Sequence, residues 1–136
     1  MIITEQKKSI QHPEEIVKIF RDLLASEHEC DQLREHFWVV GLNAKNIIQY
    51  IELVSLGTLT SALIHPRETF RFAVMKGVAS IIVVHNHPSG DPTPSREDIV
   101  VAERLKEAGD ILGIKLLDSI IVCDTNHSSL QALGHI

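Results

Sequence analysis

The sequence predicts a layered α/β domain, a mixed sheet flanked by helices. Three observations carry that reading. Apolar residues recur at helical spacing behind proline-acidic openings, at Pro13-Glu14-Glu15 and Pro66-Arg67-Glu68. Two apolar runs, Phe37 to Leu42 and Ile47 to Val54, flank the turn-forming Asn43-Ala44-Lys45-Asn46 and read as a hairpin. A further run, Val78 to Val84, is apolar without alternation, as expected of a strand covered on both faces. With 136 residues, 44% hydrophobic and 23% charged, the chain is long enough to bury a core and has a folded protein's composition.

Taken in order, residues 1–11 are polar and read as a flexible N-terminal arm, and residues 12–136 as a single domain. Pro13 suits a first helical turn, where the missing N–H is not needed, and Glu14 and Glu15 suit the positive end of the helix dipole. Ile16, Ile19, Phe20, Leu23 and Leu24 form one stripe, and the helix should end near Ser26–Glu29. The hairpin follows, with Trp38 assigned to the core, and Gly57-Thr58 marks a break. A second helix turns Phe70, Ala73 and Val74 inward and stops at Gly77. After the Val78–Val84 strand comes a proline-rich loop. Ser95-Arg96-Glu97-Asp98 then opens a third helix, on which Ile99, Ala102, Leu105 and Leu112 can share a face. Lys115 to Cys123 is the strand that closes the sheet, and a polar tail segment, Thr125 to Ser129, precedes Leu130 and Leu133.

A net charge of −5 argues against a surface that grips nucleic acid through its phosphates, so direct nucleic-acid binding is not expected. Cys30 and Cys123 are too few for a disulfide framework or a cysteine-based zinc finger, and both are expected as reduced, partly buried thiols. No basic-then-apolar leader opens the chain, and no apolar run approaches the ~20 residues that span a bilayer. The expected location is the cytoplasm, without a membrane partner.

Chemistry concentrates in His85-Asn86-His87-Pro88-Ser89-Gly90-Asp91-Pro92-Thr93-Pro94-Ser95-Arg96-Glu97-Asp98. Strand side chains alternate, so His85 and His87 at a strand end face one way and Asn86 the other. Pro88, Pro92 and Pro94 stiffen the loop that returns toward them. Asp98, in the first turn of the third helix, can then complete a set of two imidazoles and one carboxylate. That set binds zinc with one position open for water, whose pKa falls to about 7 when bound. Ser-x-x-Asp also reads as a helix cap, which by itself needs no metal. A hydrolytic site further needs a general base, and Glu35, Glu52, Glu68 and Glu97 are all candidates by spacing. Glu35 stands at the mouth of a predicted strand, where a merely solvated carboxylate is the alternative reading. His12, His28, His36, His65, His127 and His135 lack paired spacing and read as surface or structural, with His65 able to approach the site.

His-x-His, seven residues, then Ser-x-x-Asp resembles the JAMM motif of the JAB/MPN+ metalloproteases, on His85, His87, Ser95 and Asp98. The fuller string His-Asn-His-Pro-Ser-Gly-Asp-Pro-Thr-Pro-Ser is similar to the RadC-like bacterial branch. Glu35-His36-Phe37-Trp38-Val39, Gly57-Thr58-Leu59, His65-Pro66-Arg67-Glu68 and Ile114-Lys115-Leu116-Leu117-Asp118 extend the likeness over residues 33–123. The resemblance implies a mixed β-sheet flanked by helices, akin to the cytidine-deaminase-like architecture. It implies zinc (Zn2+) on His85, His87 and Asp98, Glu35 as general base, and Ser95 as donor to the oxyanion of an acyl-transfer intermediate. The implied function is a zinc metallohydrolase cleaving a peptide or isopeptide-type amide in a peptide or protein substrate. The alternatives are a RadC-type DNA repair or recombination accessory without hydrolysis, and an interaction scaffold with structural zinc. Two features depart from the family's pattern. One helix precedes the hairpin where relatives often carry a helix-hairpin-helix region, and Ser119 stands where relatives often have histidine. The second is expected to alter local hydrogen bonding only. The His-x-Glu and Pro-Cys-x-x-Cys of zinc nucleobase deaminases are absent.

Overall fold

In a computed structural model, which describes residues 9–57 and 64–136, the chain runs as α1 (Pro13–Ala25), α2 (Glu29–Gln32), β1 (Glu35–Leu42), β2 (Ile48–Gly57), α3 (Pro66–Lys76), β3 (Ser80–Asn86), α4 (Arg96–Leu112), β4 (Lys115–Val122) and β5 (His127–Ser129). The strands form one mixed sheet in the order β2-β1-β3-β4-β5. Among the described residues only β3 and β4, joined through α4, are parallel; the other pairs are antiparallel. The expected hairpin turn forms. The Asn43 side chain accepts from the Lys45 and Ile47 amides at 2.9 and 3.0 Å, and Asn46 takes a positive φ of 60°, which asparagine tolerates better than most residues.

Alternation along the strands divides the core into two layers. Trp38, Val40 and Leu42 of β1, with Ile82 and Val84 of β3, meet Ile16, Val17 and Phe20 of α1 on one face. Phe37 and Val39, with Ile81 and Val83, meet Phe70 and Ala73 of α3 and Leu105 of α4 on the other. Every residue of β3 is buried, which explains why its sequence is apolar without alternation. Of the predicted arm, residues 1–8 lie outside the described residues. Ile10 donates its amide to the Asn46 carbonyl at 2.8 Å and packs on the α1 layer. The predicted break at Thr58 also lies outside the described residues, whereas Gly57 ends β2.

Several expectations are corrected. Val74 is 55% exposed, because the buried line of α3 runs through Thr69, Phe70 and Ala73 and leaves Val74 on the rim. Thr69 escaped the apolar pattern; its hydroxyl donates to the His65 carbonyl at 3.1 Å, so it can be buried. Leu112 is likewise exposed. Gly109, not Leu112, completes the buried face of α4, and a Cβ there would come within 2.3 Å of the Ile114 carbonyl oxygen. Cys30 is exposed on the single turn of α2, whereas Cys123 is buried. Among the described residues two helices, not one, precede the hairpin, and β4 does not close the sheet because β5 adds to it.

A buried carboxylate secures that last strand. Asp118 accepts from the Ser119 amide at 2.7 Å, the Gln131 amide at 3.1 Å and the Ser129 hydroxyl at 2.6 Å. Burial pushes its carboxyl above the ordinary range, and the three donors oppose that rise. Asp118→Ala strands those donors and should lower the unfolding free energy by roughly 2–4 kcal/mol. Urea denaturation checks this, and an unchanged midpoint would show that the network contributes nothing. Ser119 pairs with Val83, and it is Ile121 that pairs with His85, so the departure at Ser119 lies below the site.

Candidate metal centre

The site sits at the C-terminal end of β3, against the first turn of α4, where open parallel arrangements place their ligands. The His87 amide donates to the Val122 carbonyl at 3.0 Å, so pairing with β4 continues one residue past the strand and keeps His87 in the pleat. His85 and His87 therefore share the α4 face. The loop beyond them is pinned at several points. Gly90, at φ 89°, donates its amide to the His87 carbonyl at 3.1 Å, and the Thr93 amide donates to the Asp91 carboxylate at 2.9 Å. The Ser128 hydroxyl ties the Pro92 carbonyl to β5 at 2.6 Å. Ser95 then caps α4. Its Oγ accepts from the Asp98 amide at 3.1 Å, while its own amide donates to Asp98 Oδ2 at 2.7 Å. This capping box holds the Asp98 carboxylate at the helix mouth, so the capping reading is correct and serves the ligand reading.

Asp98 lies between the two imidazoles, with Oδ1 3.1 Å from His85 Nε2 and Oδ2 3.2 Å from His87 Nε2. One ligand atom from each residue can be chosen so that all lie within 4.8 Å of one another. His87 Nδ1 is 2.9 Å from the Asp91 carbonyl oxygen. A carbonyl only accepts, so Nδ1 carries the hydrogen and Nε2 presents its lone pair to the cluster. His85 is buried; among the described residues its Nδ1 has no hydrogen-bond partner, and its Nε2 meets only the Asp98 carboxylate at 3.1 Å, off the line of a good hydrogen bond. Buried polar atoms without partners are rare and call for an explanation such as an ion. Two nitrogens and a carboxylate oxygen are the donor types that zinc takes, so the residues fit a divalent metal. Electrostatics agree. Burial opposes ionisation of Asp98, yet His85, His87 and the Ser95 amide hold its carboxyl far below the usual range. Asp98 in turn pushes His87 up against the effect of its partial burial, with smaller contributions from Asp91 and Glu35.

These residues line a cleft of ≈ 490 Å³ together with Leu33, Glu35, Pro88, Ser89, Ser95 and Glu97. Glu35 reaches it through the sheet. β1 and β3 pair with Phe37 opposite His85, and Glu35, two residues earlier on an antiparallel strand, comes to the His87 end on the same face. Of the other candidate bases, Glu97 lines the cleft, whereas Glu52 pairs opposite Val39 farther along β1 and Glu68 lies on α3. His65 immediately precedes α3 and is not among the cleft residues. Spacing did not mark Leu33 or Ser89, and a lone exposed leucine beside a turn carries no local signal. Asn86 turns away from the cleft, as alternation predicts.

Two histidines and a helix-capping aspartate on a β-α-β crossover define this as an α/β domain with a candidate metal centre. The chain belongs to the RadC-like JAB domain family, whose model matches residues 10–135. It is 48% identical to a UPF0758 protein of Caldanaerobacter subterraneus subsp. tengcongensis over 93% of this chain and 52% of that one. It is 53% identical to one from Desulforamulus reducens over 83% and 50%, and 48% identical to one from Staphylococcus epidermidis over 97% and 56%. The chain thus spans about half the length of the curated relatives it matches. Among the described residues, no helix is long and apolar enough to cross a membrane.

Proposed function

We propose that this domain is a zinc-dependent metallohydrolase that cleaves a peptide or isopeptide-type amide bond in a peptide or protein substrate. The observation that carries the reading is one cleft lined by His85, His87 and Asp98 and also by Glu35 and Ser95. Zinc held by His85, His87 and Asp98 would supply activation of a water and polarisation of the scissile carbonyl. Glu35 accepts the proton of the attacking water and returns it to the leaving amine. Ser95 donates its hydroxyl hydrogen to the oxygen on which negative charge develops. Its Oγ already accepts from the Asp98 amide, which occupies a lone pair and leaves the O–H for that role. The Asp91 carbonyl holds the His87 ring by its Nδ1–H, so the ligand is oriented before the metal arrives.

The chain purified without chelator should carry stoichiometric zinc. It should also cleave members of a proteome-derived peptide library, with cleavage lost on dialysis against dipicolinate and restored by zinc. Fresh protein without zinc, or cleavage that survives metal removal, would overturn the reading. The non-hydrolytic repair-accessory reading draws no particular support from this cleft.

A further inference from the structure

We propose that Asn86 is the positioning residue for Glu35: its side-chain amide clamps the backbone on both sides of Glu35 and so sets where the carboxylate stands over the metal centre. The inference rests on the reading of Glu35 as the general base. Asn86 is buried and points to the face opposite His85 and His87. Its Oδ1 accepts from the His36 amide at 2.6 Å, and its Nδ2 donates to the Arg34 carbonyl at 3.0 Å. The backbone register between β1 and β3 ends at Phe37 opposite His85, because β3 turns off into the loop beyond Asn86. A side chain takes over there and holds the chain for two more residues.

The flanking groups are held a second time. His36 is buried, stacks on Trp38 with ring centroids 4.8 Å apart, and places Nε2 2.6 Å from Glu27 Oε2. Its Nδ1 is 2.8 Å from the same Arg34 carbonyl oxygen. That oxygen therefore takes hydrogen bonds from both Nδ2 of Asn86 and the His36 ring. With residues 34 and 36 fixed, the backbone of Glu35 between them is fixed as well. An ordinary satisfied core asparagine could bond to any neighbour. This one sits between two candidate metal ligands and grips the two residues around the candidate base, so one strand end sets both partners of the reaction. Misplacement by about 1 Å far from the reacting atoms can cost ~10²-fold in rate.

The test uses the whole chain loaded with Co2+ as a paramagnetic probe, comparing Asn86→Leu with wild type. Val84→Ala serves as a control that weakens the same strand face without touching the clamp. Asn86→Leu should bind Co2+ at wild-type stoichiometry. In the metal-free protein its His36 amide should exchange roughly tenfold faster, the worth of about one hydrogen bond. The Co2+-induced relaxation of the Glu35 carboxyl carbon should drop, while that of the His85 ring stays unchanged. Val84→Ala should lower the melting temperature and move neither Glu35 signal nor His36 exchange. Should Asn86→Leu not fold, Asn86→Asp keeps the acceptor for His36, loses the donor to Arg34, and should give an intermediate loss of Glu35 relaxation. Wild-type Glu35 relaxation in both Asn86 variants would overturn the positioning role. Failure of the wild type to hold Co2+ would instead defeat the metal reading, and His36 exchange would still decide the clamp.

Discussion

Glu35→Gln is expected to leave zinc content at the wild-type level and to lower amide hydrolysis by roughly 10²–10⁴-fold, the usual worth of a positioned general base. The substitution keeps the volume and shape of the side chain. It also keeps the backbone bonds on either side, since Asn86 grips Arg34 and His36 rather than Glu35 itself. What it removes is the capacity to accept a proton beside His87 in the cleft. Metal analysis on the same samples used for the rates decides the matter. Parallel loss of zinc and turnover would mean that Glu35 holds the site together rather than working in it, and unchanged turnover would point to Glu97, the other candidate glutamate in the cleft.

His87→Ala carries the second large effect. It takes one of three candidate ligands from a cluster in which Asp98 bridges both rings at 3.1 and 3.2 Å. Zinc affinity should fall by more than about 100-fold, since partners one layer outside a metal's ligands are already worth 10–100-fold. His87 lies just past the end of β3 and is half-buried, so the fold should survive its loss. Competition against a chelating dye measures the affinity. The pH dependence gives an internal check. Asp98 raises the His87 pKa above the ordinary histidine value, and a metal can bind the ring only after the proton leaves. Zinc affinity of the wild type should therefore fall as pH drops through that raised value and recover above it. In His87→Ala this dependence should flatten. A variant with wild-type affinity would remove His87 from the ligand set.

Much of the fold was legible because it is written in short range. The α1 stripe, the Asn43–Asn46 turn and the Gly77 stop depend on contacts within a few residues, and the described structure has them where periodicity and turn chemistry predict. Elements that lack a local signal were not legible. The four residues of α2 have no apolar face. The three residues of β5 are polar and are held by Asp118, eleven positions from Ser129. Val74 and Leu112 looked like core by spacing, but which side of a helix meets the sheet is decided by its neighbours, here by Thr69 and Gly109.

The sequence by itself determined the candidate ligand set. His85 and His87 share a face because strands alternate, and Asp98 is turned toward them by a capping box built within four residues. Spacing left several glutamates equal and the family resemblance singled out Glu35; the tertiary structure brings Glu35 and Glu97 to the cleft and keeps Glu52 and Glu68 out of it. The reason is the register of β1 against β3. Burying Trp38 and Val40 on the α1 layer and Phe37 and Val39 on the other sets that register. Asn86 then ties the start of β1 to the end of β3 across fifty residues of chain, a contact that no local pattern encodes.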